Sequence, residues 1–308
     1  MRRGTTILLL LLLCLTGRAQ HYVETGVHGG VASLLYHTQV APLVPDGHAG
    51  IDVLYHYRSP RVAGVRVGLS ADWAGSCFRA DNYTDNYTTL DVENDLMEVD
   101  YRIGSLTERH QQMLLSAPVQ LSLNWRQLGF YVGPRISVPV WTNARQTQRD
   151  AALAVTYPAY GSRVDDSRPV AAGNVALQQE KVDAVLPVLR LSVAAEVSWE
   201  IQLSAGMALS IGAYADYGLY AQYARSITYA PSLLMLTDTR DGLPLARLSH
   251  SVLGSRRQGR PLVESPGSFD AGLKLSLRFM VKEHSKRNNK PKTDEDCDCE
   301  EVRRLLGL

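Results

Sequence analysis

The residues best equipped for chemistry are a few histidines, a run of acids and a pair of cysteines. His28 and His56 with Asp52, or His37 and His48 close by, supply an imidazole and a carboxylate, the parts of a general base. No G-x-S-x-G or H-E-x-x-H accompanies them. A histidine among polar neighbours is more often a hydrogen-bonded network member than a base. The run DNYTDNYTTLDVEND holds Asp81, Asp85, Asp91, Glu93 and Asp95, which could gather around calcium. Their spacing departs from the twelve-residue EF-hand loop. Cys297-Asp298-Cys299 offers two thiolates to a soft metal. No second cysteine pair or neighbouring histidine completes a tetrahedron. The sequence therefore predicts no catalytic set, no cofactor and no resident metal.

What must position these residues is read first from the ends. MRRGTTILLLLLLCLTGRAQ has Arg2 and Arg3 before the apolar run Ile7–Leu15, which is too short to span a bilayer as a helix. Small residues flank Arg18, so 1–19 reads as a signal peptide cleaved after Ala19; the rival is a lipid anchor at Cys14. The formal net charge of +1 over 308 residues argues against a nucleic-acid partner. No later segment is apolar enough for a transmembrane helix. Beyond the signal, Cys77, Cys297 and Cys299 are too few for a disulfide framework.

The chain then alternates apolar and polar residues. In FDAGLKLSLRFMV, residues 269–281, Leu273, Leu275, Leu277 and Phe279 share one face while Asp270, Lys274 and Arg278 share the other. The same pattern predicts strands at 22–36, 48–58, 62–78, 112–125, 129–140, 185–200, 206–220 and 267–281. The linkers 59–61, 126–128 and 201–205 are short. Those at 37–47, 79–111, 141–184 and 221–266 are long. Short turns at one end and long loops at the other predict an all-β, eight-stranded antiparallel up-and-down transmembrane β-barrel, with periplasmic turns and extracellular loops. The barrel covers 20–281, and 282–308 is a charged, disordered periplasmic tail.

A soluble periplasmic lipid-binding barrel carries the same alternation turned inside out. The aromatics discriminate. Tyr57, Trp125, Phe130, Trp199 and Phe279 lie on the apolar face near the short turns; Trp73, Tyr217 and Phe269 lie on it near the long loops. Two aromatic belts around an aliphatic band suit a lipid-facing surface. Ser33 and Cys77 are expected on that face as well. The polar face then lines the lumen with Glu24, Asp52, Asp72, Glu196, Asp216 and Asp270 against Arg58, Arg66, Arg135, Arg190, Lys274 and Arg278, beside His28 and His56. Balanced charge in a narrow lumen predicts a salt-bridged plug.

With this signal, strand rhythm and the terminal GLKLSLRF, the chain resembles the OmpA-like eight-stranded outer-membrane barrels over roughly 20–281. YTDNYTTLDVENDLMEVDYRI and LSIGAYADYGLY are similar to an outer-membrane β-barrel branch of that family. The resemblance implies an outer-membrane protein of a Gram-negative bacterium. Too few residues follow Val281 for the peptidoglycan-binding domain that such proteins often carry, so cell-wall tethering is not implied. The expected role is structural and non-enzymatic, with long loops as the surface that meets partners. Alternatives are a small pore and an enzyme at the barrel rim, where His37 and His48 are expected. Besides membrane lipid, the expected partner is lipopolysaccharide, whose phosphates suit Arg247, Arg256, Arg257 and Arg260. The nearby run Leu233-Leu234-Met235-Leu236 is expected to be covered, or to mark a partner site if exposed.

Overall fold

A computed structural model describes residues 20–37, 43–58, 63–91, 93–166, 173–176, 186–223, 229–237 and 246–281. The signal segment, the tail with Cys297 and Cys299, and the side chains of His37 and Arg247 lie outside what is described.

Strands form where side chains alternate between two environments. Eight long ones are β1 (Gln20–His37), β2 (Leu43–Arg58), β3 (Ala63–Leu90), β4 (Leu96–Trp125), β5 (Leu128–Tyr157), β8 (Pro187–Ser204), β9 (Met207–Tyr223) and β14 (Glu264–Met280). Each pairs antiparallel with its neighbours in the order β4-β3-β2-β1-β14-β9-β8-β5, and β4 pairs with β5. The ring is therefore closed and leaves no edge around its waist. At the seam between first and last strands, Gly30 sits opposite Gly272. A Cβ on Gly30 would lie 2.1 Å from the Ala271 carbonyl oxygen, so the seam closes only without side chains there.

The turns at one end are tight. Arg126-Gln127 links β4 to β5, with Arg126 at φ 57°, and Ala205-Gly206 links β8 to β9. The third short linker falls outside the described residues. At the other end the structure corrects the expected loops. Residues 79–90, 96–111 and 141–157 continue as strand, so β3, β4 and β5 run to 28, 30 and 30 residues. Short strands decorate this end: β6 (Ser162–Asp166) and β7 (Gly173–Ala176) on β5, the hairpin β10 (Leu234–Thr237) with β11 (Ala246–Ser249), and the hairpin β12 (Arg256–Arg257) with β13 (Arg260–Pro261).

Two cores result. Within the ring the interior is polar and the exterior apolar. Val27, Ile51, Leu69, Leu121, Ile136, Ile211 and Leu273 are exposed, Leu69 and Leu273 each at 70%. Above the ring, the prolonged strands fold over a separate apolar core. Phe78, Tyr83, Val99, Ile103, Leu106 and Leu153 meet Leu233, Leu234, Val252, Leu253, Leu262 and Val263 from the segment before β14. Leu233 and Leu234 are covered there. This second unit is a folded cap.

Candidate functional site: a charged lumen beneath a folded cap

Alternation puts even-numbered residues of β1 and β2 inside the ring, and the other strands add their own inward set. The charged side chains join into one column. At the short-turn end Arg58 Nη1 lies 3.6 Å from Glu200, which also receives Arg278 and the Tyr131 hydroxyl. Arg278 Nη2 donates to Glu24 Oε2 at 3.0 Å, and Arg66 Nη1 donates to Glu24 Oε1 at 3.2 Å. Arg66 also grips Glu196 through both terminal nitrogens and stacks over the Tyr131 ring at 3.8 Å. Lys274 Nζ reaches Glu24, Glu196 and Asp52 at 3.3, 3.3 and 3.2 Å. His28 carries the column onward, with Nδ1 3.4 Å from Asp52 and Nε2 2.7 Å from Asp72. Arg135 closes it, bonded to Asp72 and 3.5 Å from Asp216.

Carbonyl, hydroxyl and amide groups complete the shell. Gln120 accepts from Arg66, while Ser70 and Ser116 donate to Asp72. Such satisfaction is what makes buried ions tolerable. Gly50 makes room: a Cβ there would lie 2.4 Å from His28 Nε2 and 2.5 Å from Asp72 Oδ1. A void of about 50 Å³ lined by His28, Asp52, Arg135, Tyr214 and Lys274 has room for only a few waters.

Several expected members sit differently. Arg190 donates to Gln112 Oε1. Asp270 stands opposite Asp216 across β9 and β14 with Oδ1 lacking a partner, because two acids occupy one register position and Arg135 reaches Asp216. His56 donates to or accepts from Ser122 Oγ at 2.9 Å. His48 is not on the rim; it is buried in the lumen, with Nδ1 2.5 Å from the Tyr214 hydroxyl. Ser33 is buried, paired with Phe269 across the seam, and is not lipid-exposed. Glu200 escaped the expected set although its parity matches that of Glu196.

Donor atoms of His28, His48 and Asp72 all lie within 4.8 Å of one another. Asp72 already accepts from His28, Arg135, Ser70 and Ser116, so an ion would have to displace a guanidinium. The hydroxyls beside the imidazoles are Tyr214 on His48 and Ser122 on His56, and the two acids of His28 are consumed in the column. The calcium run is dispersed. Asp85 points inward and Asp81 outward, while Asp91 Oδ1 accepts the N–H groups of Glu93 and Asp95 at 2.9 Å each and shapes the turn.

The expected belts fall at the two ends of the apolar waist. Trp125, Phe130, Trp199 and Phe279 are exposed near the short turns, with Tyr57 half-buried among them. Tyr217 is exposed at the opposite level, where Trp73 and Phe269 are half-buried. Trp141 joins them, in register with Met113 and Trp73. It falls outside the expected belts because the alternation predicts a fifth strand that ends at 140.

The cap hangs on Glu108. This carboxylate is fully buried and accepts from the Val252 N–H at 2.9 Å, the Ser251 hydroxyl at 2.6 Å and Gln146 Nε2 at 2.8 Å. His110 Nε2 lies 2.8 Å away, out of line for a hydrogen bond. Burial opposes the charge, but His110, Ser251 and the Val252 amide outweigh it and hold the carboxyl below its ordinary range. Asp85 behaves oppositely. Burial pushes its carboxyl up, although the Asn86 N–H and the hydroxyls of Tyr101 and Ser232 donate to it.

A closed antiparallel ring with an apolar waist between aromatic belts, and a polar interior, defines the class of transmembrane β-barrels. No family model matches the sequence, and no curated protein matches it. Among solved structures, the chain is similar to Neisserial surface protein A, at 12% identity over 85% of this chain and 99% of that one, with a TM-score of 0.28. Ail, the attachment invasion locus protein of Yersinia pestis, shares 7% identity over 86% and 100%, with a TM-score of 0.26. The translocator domain of autotransporter NalP from Neisseria meningitidis shares 10% over 91% and 95%, with a TM-score of 0.22. The barrel assignment rests on the strand pairing, independently of these similarities.

Proposed function

We propose that the protein is a non-enzymatic outer-membrane barrel of a Gram-negative bacterium, exported by its cleaved signal peptide, whose ring is an anchor and whose cap is the surface that meets partners. One observation carries this reading. Three strands continue past the aromatic belt to build a packed unit with its own apolar core, while the lumen below is filled by ion pairs. A solute pore needs an open lumen, and the void of about 50 Å³ supplies none. Membrane lipid is the partner of the apolar waist. Lipopolysaccharide is the proposed partner of the exposed Arg256 and Arg260, which β12 and β13 present in the cap.

The orientation is directly testable. An epitope inserted at the Asp91–Asp95 turn is expected to be detected on intact cells. An epitope replacing Arg126-Gln127 is expected only after permeabilisation. The reverse pattern, or no surface signal from either, contradicts the proposal.

A further inference from the structure

A cleft of about 650 Å³ opens in the cap between the tips of β3 and β4, the β5–β6 hairpin and the β12–β13 hairpin. Clefts of ~300–1,000 Å³ are the usual size for small-molecule sites. Its wall is mostly polar and includes Asp85, Asn86, Arg102, Arg163 and Arg257.

These groups are unequally engaged. Arg102 Nη2 donates to Asn82 Oδ1 at 2.7 Å. Arg163 Nε donates to Asp165 at 3.0 Å, and its Nη1 lies 3.9 Å from Asp100. Asp85 accepts from Asn86, Tyr83, Tyr101 and Ser232, which occupy both of its oxygens. Arg257 alone of the three arginines has no side-chain hydrogen bond or ion pair among the described residues, and its Nε is buried without an acceptor.

Yet Arg257 is held in place. Its guanidinium lies over the buried Tyr83 ring at 5.6 Å. Its hairpin turns through Gln258 and Gly259, at φ 49° and 80°, and is tied down by Arg256 N–H to Ala230 O at 2.9 Å and Leu262 N–H to Ser255 O at 2.8 Å. A buried guanidinium nitrogen without an acceptor is costly, and the planar fork matches carboxylate, phosphate or sulfate oxygens. We propose that this cleft binds a small polar anion, its carboxylate, phosphate or sulfate group seated on Arg257 and the rest of the molecule held by the polar wall around Asn86 and Arg102. The inference rests on the reading of the cap as the interacting surface, but binding by the purified barrel does not depend on which way it faces.

The test is calorimetric titration of the full chain, folded in detergent micelles, with inorganic phosphate, sulfate and D-glucuronate. Saturable binding of at least one is expected. Arg257→Ala should weaken it about tenfold or more, and Arg257→Lys by less, because charge is kept while the fork is lost. Arg145→Ala, which removes a positive charge from the cap's outer face, should change it less than about twofold. No saturable binding of any of the three, or equal losses in Arg257→Ala and Arg145→Ala, overturns the site. Arg257→Lys carries the test if Arg257→Ala fails to fold. A surface epitope that proves periplasmic while Arg257-dependent binding persists overturns the orientation alone.

Discussion

Glu24→Gln is expected to cost the folded barrel about 3–5 kcal/mol, the scale for breaking a buried ion pair by removing one partner. Glu24 is fully buried at the crossing point of the lumen column, facing Arg66, Arg278 and Lys274 and accepting from the Ser276 hydroxyl. Glutamine keeps the shape and removes the charge, leaving three cations to share Glu196, Glu200 and Asp52. The measurement is the fraction folded against urea concentration after refolding into lipid vesicles. Lys274→Met made in the Glu24→Gln background should recover part of the loss, because it removes the cation left in excess. Additive losses in the double variant would show that the two side chains are not coupled.

Glu108→Ala is expected to release the cap without opening the ring. The change removes the acceptor for Val252 N–H, Ser251 and Gln146 at once, where Glu108 is fully buried. Each stranded buried donor costs about 1–3 kcal/mol. Limited proteolysis should then cut within 229–263 while the barrel keeps its heat-modifiable mobility. Cleavage at wild-type rates would contradict the anchoring role. The pH dependence has a definite sign. The Glu108 carboxyl is lowered on folding, so its stabilisation is complete above the ordinary carboxylate value and is lost as pH falls through the lowered one. Asp85 is raised, so its contribution is greatest at acid pH and fades as pH rises through the raised value. Protease resistance that Glu108 provides should therefore fail on acidification, and the Glu108→Gln cap should lack that component.

The ring was legible because its signal is simple: period-2 alternation between lipid and lumen, punctuated by short turns. The cap was not, for a local reason. Its strands change phase. In β3 the buried set runs Phe78, Ala80 and then Tyr83, Asp85, Tyr87. In β4 it runs Val99, Tyr101, Ile103 and then Leu106, Glu108, His110. In β5 it runs Gln146, Gln148 and then Ala151, Leu153. The breaks at Asn82, Gly104 and Asp150 lie in register across the three strands, so pairing continues while every inward face switches. Asn82 and Asp150 take φ of 54°, a backbone state that asparagine and aspartate tolerate. One sequence read at a time shows only a lost rhythm, and a lost rhythm resembles a loop. The lumen residues were placed by parity alone. Their partners were not, because Arg66 meets Glu196 across the ring, 130 residues away in sequence. Glu108 was missed for the combined reason: it lies in a supposed loop, and its partners come from the far segment 251–252.

The most direct test of the central claim is electrophoresis of the full chain from outer-membrane fractions, boiled and unboiled in SDS. A closed barrel with a salt-bridged interior should resist SDS until heated, so the unboiled band should migrate differently from the boiled one. Identical mobility, with the protein recovered in the soluble periplasm, would contradict a lipid-facing waist and with it the anchor beneath the cap.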